Sequence, residues 1–464
     1  MRPPFRPGDE LELTIDTLAF GGRGLGRSDG VVVFVAGALP GDRVRARIVK
    51  VKRRHGEAVR VETLSFGPDH VTAPCPHFGH CGGCRWQDLA YERQLEHKQG
   101  QIRDALERIG GLSGFELASI VPAVRQLGYR NKLEYTWARS PDGPAPGFHA
   151  AGRWDEVLAL ETCLLAGPKG GPVREAFRDW ARAQGLEAYA QTDGEGYLRH
   201  LVVREGIRTG EVLCILVTSP GDAPDFEALE QLLADRCPTV VGVLHAINDG
   251  NAESTAGLQA KVVFGQGWFE EEILGLRLRV SAGSFLQTNT EMTDLLYGEA
   301  VRRAELTGRE VVWDLYSGIG SIALALAGGA SRVIGVEIVE EAVERARENA
   351  LLNGVGNAEF VAGDAAKTIR PLLEQGLPKP DVVVVDPPRA GLTPRAVRRV
   401  VELDPKRIVY VSCNPTTLAG NGKLLDEAGY KLVSLTPFDL FPHTPHVECV
   451  ATFDFVGVSP TEPQ

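Results

Sequence analysis

Glu310-Val-Val-Trp-Asp-Leu-Tyr-Ser-Gly-Ile-Gly-Ser-Ile-Ala-Leu-Ala325 reads as a strand, a glycine turn and a helix in immediate succession. The apolar, β-branched run suits a buried strand, and the alanine- and leucine-rich end suits a helix. The pattern then repeats. Ser331-Arg-Val-Ile-Gly-Val-Glu337 is a second strand, and a third, Ala358–Val361, ends in Gly363-Asp364. A fourth, Asp381-Val-Val-Val-Val-Asp386, runs into Pro387-Pro-Arg-Ala-Gly391. The fifth, Arg407-Ile-Val-Tyr-Val-Ser-Cys413, is followed by Asn-Pro-Thr-Thr417, a turn and helix start. Regular βα alternation predicts a doubly wound α/β sheet from Glu310 to Phe455, its strand ends facing one crevice where ligands bind. Glu337 lies 19 residues beyond Gly318, the spacing at which a carboxylate takes ribose hydroxyls. Ser317-Gly-Ile-Gly320 lacks the full G-x-G-x-x-G of dinucleotide sites, so Gly318 and Gly320 would instead admit an adenosyl amino acid.

Within that crevice the fifth strand delivers a thiol, Cys413. Alone, a free cysteine is most often a small buried hydrophobe. Near the carboxyl end, His446-Val-Glu-Cys449 opens another apolar strand. There Glu448 and Cys449 must point to opposite faces.

Upstream, the first 63 residues predict a small β-barrel, with strands such as Val31–Val35 separated by turns at Gly21-Gly22, Gly24 and Gly26. Arg43 to Arg60 holds eight basic residues (Arg43, Arg45, Arg47, Lys50, Lys52, Arg53, Arg54, Arg60) against the single acid Glu57. Alternation would place Arg43, Arg45 and Arg47 on one face, a stripe suited to a phosphate backbone. Cys75-Pro-His-Phe-Gly-His-Cys81-Gly-Gly-Cys84 gathers three thiols, and Cys163 is the candidate fourth. Four such ligands suit zinc or an iron–sulfur cluster, with His70, His77 and His80 keeping zinc open. Asp88 to Gly110 predicts one long helix that packs on the catalytic domain. Residues 64–280 predict a central α+β domain, in which Leu127–Trp137 and Leu198–Arg204 offer aromatic and basic groups to unpaired bases. The last domain spans 281–464.

The chain has 464 residues and a net charge of −11, so its bulk charge does not advertise nucleic acid; only the local run at Arg43–Arg60 does. No apolar run reaches membrane-span length and the first residues lack a signal-peptide core, which makes a cytoplasmic location the expectation. Eight cysteines are too few for a disulfide scaffold in a chain this long.

Five motifs together carry a family resemblance: Ser284-Phe-Leu-Gln-Thr-Asn289, Asp314–Gly320, Asp386-Pro-Pro-Arg-Ala-Gly391, Ser412-Cys-Asn-Pro415 and His446-Val-Glu448. The chain resembles the S-adenosylmethionine-dependent RNA uracil-5-methyltransferases, and its first 63 residues resemble the TRAM domain. The barrel and the four cysteines resemble the branch acting on large-subunit (23S) ribosomal RNA, since the tRNA branch is expected to lack both. The resemblance implies a [4Fe–4S] cluster on Cys75, Cys81, Cys84 and Cys163. It also implies a cofactor and base pocket lined by Gln287, Tyr316, Ser321, Glu337, Asp364 and Asp386. RNA is the implied partner of a monomer with no obligate protein partner. A tRNA uridine-5-methyltransferase, an amino-group methyltransferase and a non-catalytic iron–sulfur RNA-binding protein are the alternatives.

The chemistry explains those residue types. Carbon 5 of uracil is a poor nucleophile. A thiolate from Cys413 adding to carbon 6 makes carbon 5 nucleophilic toward the sulfonium methyl. A base, Glu448, must then take the carbon 5 proton so that the cysteine can leave. The uridine must leave any stack to be reached.

Overall fold

The computed structural model describes residues 3–250, 255 and 257–457; Met1 and Arg2 of the expected barrel, 251–254 and 256 of the central region, and 458–464 of the last domain lie outside the described residues. Five strands form a closed barrel in the order β1-β2-β3-β5-β4. They are β1 Glu10–Leu18, β2 Gly24–Ser28, β3 Val31–Ala36, β4 Arg43–Val51 and β5 His55–Ser65. Alternate residues turn inward, so Val33, Val35, Val44, Ala46 and Ile48 fill a core of their own.

α1 (Tyr91–Asp104) continues as one wide helical turn, Ala105–Ile109, that packs on the methyltransferase-like half. Its Ile102, Ala105 and Leu106 are buried there beside Trp313 and Tyr410. The short strand β6 (Glu116–Leu117) then pairs in parallel with a strand more than three hundred residues away.

The central sheet has seven strands in the order β13-β12-β11-β10-β7-β8-β9. These are β7 Lys132–Ala138, β8 Ala145–His149, β9 Val157–Ala159, β10 Leu198–Glu205, β11 Val212–Thr218, β12 Val240–Ile247 and β13 Ala260–Gly265. Helices α2 (Gly170–Ala183) and α3 (Phe226–Arg236) cover one face. The expectation that Leu127–Trp137 and Leu198–Arg204 offer rings and cations to RNA is corrected here for the rings of the first stretch and for the whole of the second; Arg130 and Lys132 are half-buried. Tyr129, Tyr135 and Trp137 are buried, and so is every residue of β10. β10 lies in the middle of the sheet with both faces covered, which strand alternation in the sequence does not reveal. Arg204 uses one guanidinium nitrogen to cap the carbonyls of Ser281, Ala282 and Ser284, ordering the segment before Gln287.

The ribbon β14 (Trp268–Ile273) and β15 (Leu276–Ser281) leads into α4 (Thr290–Arg303). The division at residue 280 does not coincide with a break in packing: Leu213, Ile215 and Leu244 share one buried cluster with Leu296, Ile322 and Val384. From there strand and helix alternate: β16 Val311–Leu315, α5 Ser321–Ala327, β17 Arg332–Glu337, α6 Glu340–Leu352, β18 Ala358–Ala362, α7 Ala365–Glu374, β19 Val382–Val385, α8 Pro394–Glu402, β20 Arg407–Ser412 and α9 Pro415–Glu427. The antiparallel β21 (Tyr430–Phe438) and β22 (Glu448–Phe455) complete the sheet. The order is β18-β17-β16-β19-β20-β22-β21-β6. It reverses direction between β16 and β19, and in such sheets the crevice opens where the order reverses.

Candidate active site

In-register pairing sets the site. Leu315 pairs with both Val336 and Val385, and Val385 pairs with Tyr410. The residues just beyond these positions therefore share one edge: Tyr316, Glu337, Asp386 and, past Ser412, Cys413. β22 runs the other way, and its second residue, Cys449, faces Ser412. Its first residue, Glu448, thus arrives at the same edge. Cys449 turns into the core on the opposite face.

A cavity of about 880 Å³ opens along this edge. Cys413, Glu448, Gln287, Tyr316 and Gly318 line it, as do Ser321, Glu337, Asp364 and Asp386. Gly320 does not. It caps α5 at φ +88°, and a side chain there would press on the Phe360 ring at 3.0 Å, so packing requires a glycine at this position.

The glycine turn is held from the next strand. Glu337 accepts the amides of Gly318 (3.0 Å) and Val339 (2.9 Å), which fixes its carboxylate at the cavity wall. Tyr316 sits at φ +69°, a conformation costly for a ring-bearing residue, and so points its side chain into the space above β16. Asp364 caps α7 through the Ala366 amide (2.8 Å). Gln287 is fixed by its own carbonyl, which accepts from Asn131 at 3.0 Å.

The acids crowd at the buried end. Burial pushes the Asp386 carboxyl up to about 7. Burial and then Asp386 push Glu448 well above the usual carboxylate range, with Arg389 opposing. Glu448 Oε2 has no hydrogen-bond partner among the described residues. Asp314, at the same end, is likewise raised by burial and by Asp386, with the Ala323 amide opposing; neither of its oxygens reaches full hydrogen-bond geometry among the described residues. Burial, then Glu448 and Asp386, push the Cys413 thiol up to about 12, while Arg389 pulls it down. The arrangement is a thiol and a set of carboxyls held above their ordinary values by burial and by one another, with the Arg389 guanidinium among them.

Four further residues line the cavity that spacing alone did not bring out as site residues. Arg389 and His446 lie inside the Asp-Pro-Pro-Arg and His-Val-Glu motifs, so their signal was present. Phe285 is 67% exposed at the rim, inside Ser-Phe-Leu-Gln. Tyr297 is buried on α4 near Asp386 and Glu448, and no local pattern marks it.

A second cavity, of about 650 Å³, is lined by Cys75, Cys81, Cys84 and Cys163 together with Arg130. Cys81 accepts the Gly83 amide at 3.4 Å, and the Leu165 and Ala166 amides aim at Cys163. Burial raises the Cys84 thiol to about 11. His77 Nε2 accepts the Glu161 amide at 3.2 Å, which takes up one of the imidazole nitrogens open to zinc. Among the described residues no group of three or more His, Cys, Asp or Glu side chains is arranged to hold a single metal ion.

On the barrel, Arg43, Arg45 and Arg47 do share the outer face, but each is paired. Glu12, Glu62 and Glu10 meet them at 2.7, 2.8 and 2.9 Å from the neighbouring strands. The expected stripe is therefore largely neutral. Lys50, Arg53 and Arg54, around the β4–β5 turn, make no ion pair among the described residues.

Comparison with known proteins places the chain in a family. The family described as tRNA (Uracil-5-)-methyltransferase matches residues 259–454, and the TRAM domain matches residues 4–61. An uncharacterised RNA methyltransferase of Halalkalibacterium halodurans is 37% identical over 97% of this chain and 98% of its own length. One of Chlorobaculum tepidum is 40% identical over 97% of each. The chain belongs to this family of RNA methyltransferases. A solved structure, the Pyrococcus abyssi tRNA (uracil-54, C5)-methyltransferase in complex with S-adenosyl-L-homocysteine, is similar with a TM-score of 0.75 and 29% identity. It covers 96% of this chain and 100% of its own. So wide a match takes in the barrel, which overturns the expectation that tRNA enzymes lack it.

Proposed function

We propose that this protein transfers a methyl group from S-adenosylmethionine to carbon 5 of a uridine in RNA, through a covalent bond from Cys413 to carbon 6. The observation that carries this reading is the meeting of Cys413, Glu448 and Asp386 in the one cavity whose far end is walled by Tyr316, Gly318 and Glu337. The adenosyl group would lie along Tyr316 and Glu337, where a carboxylate can take ribose hydroxyls. The exposed Phe285 ring at the rim suits stacking on a base drawn out of its helix.

Each step has a residue. Cys413 loses its proton to a carboxylate of the buried acidic pair as sulfur bonds carbon 6, and the ring electrons move to the carbon 4 oxygen. Carbon 5 takes the methyl group and the cofactor leaves as its thioether. Glu448, whose Oε2 has no partner, accepts the carbon 5 proton; the carbon 5–carbon 6 double bond re-forms and the thiolate leaves. Glu448 must therefore enter the reaction ionised: the thiol's proton goes to Asp386 and returns to the departing thiolate, while the proton Glu448 takes from carbon 5 passes to solvent.

Cys75, Cys81, Cys84 and Cys163 would hold a [4Fe–4S] cluster, since four soft donors surround one cavity and backbone amides point at two of the sulfurs. When bound, such a cluster supplies covalent cross-links between the Cys75–Cys84 segment and the Cys163 loop. Protein purified without oxygen should carry about four irons per chain, and Cys163→Ser should lose them. Stoichiometric zinc would defeat the assignment.

The proposed target is 23S ribosomal RNA. A second reading, tRNA, is favoured by the Pyrococcus abyssi likeness, which spans nearly the whole chain. Mapping 5-methyluridine in both RNAs, with and without an intact copy of this protein, decides between them. Loss of the modified base from neither RNA would reject the activity.

A further inference from the structure

Among the described residues, Arg389 is the one arginine or lysine lining the active cavity, beside the carboxyls and the thiol described above, and its side chain is long enough to point elsewhere. Arg389 Nη2 lies 2.9 Å from His446 Nδ1. A guanidinium can only donate, so Nδ1 is the acceptor and the ring proton sits on Nε2. We propose that His446 is a positioning residue: its Nδ1 holds the Arg389 guanidinium beside Cys413 and thereby favours the thiolate. This rests on the proposed role of Cys413 as nucleophile.

Both partners stand on immobilised backbone. The Arg389 carbonyl accepts from Asn414 Nδ2 at 3.1 Å, next to Cys413 itself. His446 belongs to the loop 439–447, and that loop is gripped by the amino-terminal half of the chain. Asp439 takes Lys98 at 2.5 Å and the Tyr91 hydroxyl at 2.8 Å. The Pro442 carbonyl accepts the Tyr129 hydroxyl at 3.2 Å. The His443 carbonyl accepts the amides of Arg85 (2.9 Å) and Trp86 (3.1 Å), and His443 donates its own amide to Gln94 at 2.9 Å. The barrel adds the Gly22 turn, where a side chain would strike Pro445 at 3.2 Å.

The charges around each group fit this role. His446 faces Arg389, Lys98, Arg85 and Arg130, and burial with these cations lowers it to about 4, so it remains a neutral acceptor at working pH. Cys413 faces Glu448 and Asp386, which oppose ionisation, and Arg389, which favours it; Tyr410 and Cys449 are its other titratable neighbours. Releasing this favourable charge should make the thiol harder to ionise.

The test needs neither RNA nor cofactor, so it stands apart from whether uracil is the substrate. Full-length protein purified without oxygen is treated with iodoacetamide across a pH series, and alkylation of the Cys413 peptide is followed by mass spectrometry. His446→Ala should alkylate roughly tenfold more slowly than wild type at a given pH below its plateau. His446→Asn, which returns an acceptor oxygen, should recover most of the rate. If the alanine variant does not fold, His446→Leu against His446→Asn makes the same comparison. A pH profile unchanged by the loss of the acceptor, or shifted equally in the asparagine variant, overturns the proposal. Normal alkylation behaviour with no methyl transfer to RNA by wild type would instead reject the underlying reading.

Discussion

At the scale of single residues, the site is governed by how a buried edge treats acids. Asp386 stands at about 7, above its ordinary value of 3.8, because burial disfavours its charged form. A carboxyl raised on folding binds a proton in the native state that the unfolded chain lacks between about pH 4 and pH 7. The stability tied to it is thus complete below pH 4 and lost as pH rises through 7. Asp386→Asn should therefore melt higher than wild type at pH 8, and the two should converge as pH falls, by about 1.4 kcal/mol per pH unit across that window. Thermal melts at a pH series check it; a constant difference would place the titration elsewhere. Methyl transfer should move the opposite way and fall below about pH 7 in wild type, where Asp386 is protonated and cannot take the thiol's proton.

At the scale of elements, α1 does more than fill the back of the sheet. Lys98 and Asp439 are both fully buried and meet at 2.5 Å, with Lys98 also donating to the Phe441 carbonyl. Burial lowers the Lys98 ammonium, and Asp439 works against that. Removing one partner leaves a buried charge. Lys98→Met should cost about 3–5 kcal/mol, while Lys98→Met with Asp439→Leu should recover much of it. Denaturant melts of the single and double variants measure both. The sequence reveals a helix between Asp88 and Gly110 but not this pair, whose members are 341 residues apart. The same holds for β6, two residues long, and for the glutamates facing Arg43, Arg45 and Arg47: a local window shows a stripe, and only strand pairing shows its neutralisation. By contrast, the five parallel strands and the opposed directions of Glu448 and Cys449 were legible, because strand period and βα alternation are local properties.

At the scale of the whole molecule, barrel, cysteine cavity and catalytic sheet are one packed body. Arg85 donates to the Gly21 carbonyl at 2.6 Å and Gln101 to the Leu18 carbonyl at 3.2 Å, so deleting the barrel would strip α1 as well as remove RNA contacts. Charge reversal is the cleaner probe. Lys50, Arg53 and Arg54 changed together to Glu should weaken RNA binding and flatten its salt dependence, leaving cofactor affinity unchanged; the same changes at the already paired Arg43 and Arg45 should do less. The central claim is that this body joins itself to RNA through Cys413 and lets go only when Glu448 removes a proton. Incubating Glu448→Gln with RNA and methyl-labelled S-adenosylmethionine, then separating the products under denaturing conditions, tests it most directly. The account predicts a protein–RNA adduct carrying methyl label, absent in Cys413→Ala and in the double variant. Full methylation by Cys413→Ala, with no adduct in any variant, would contradict it.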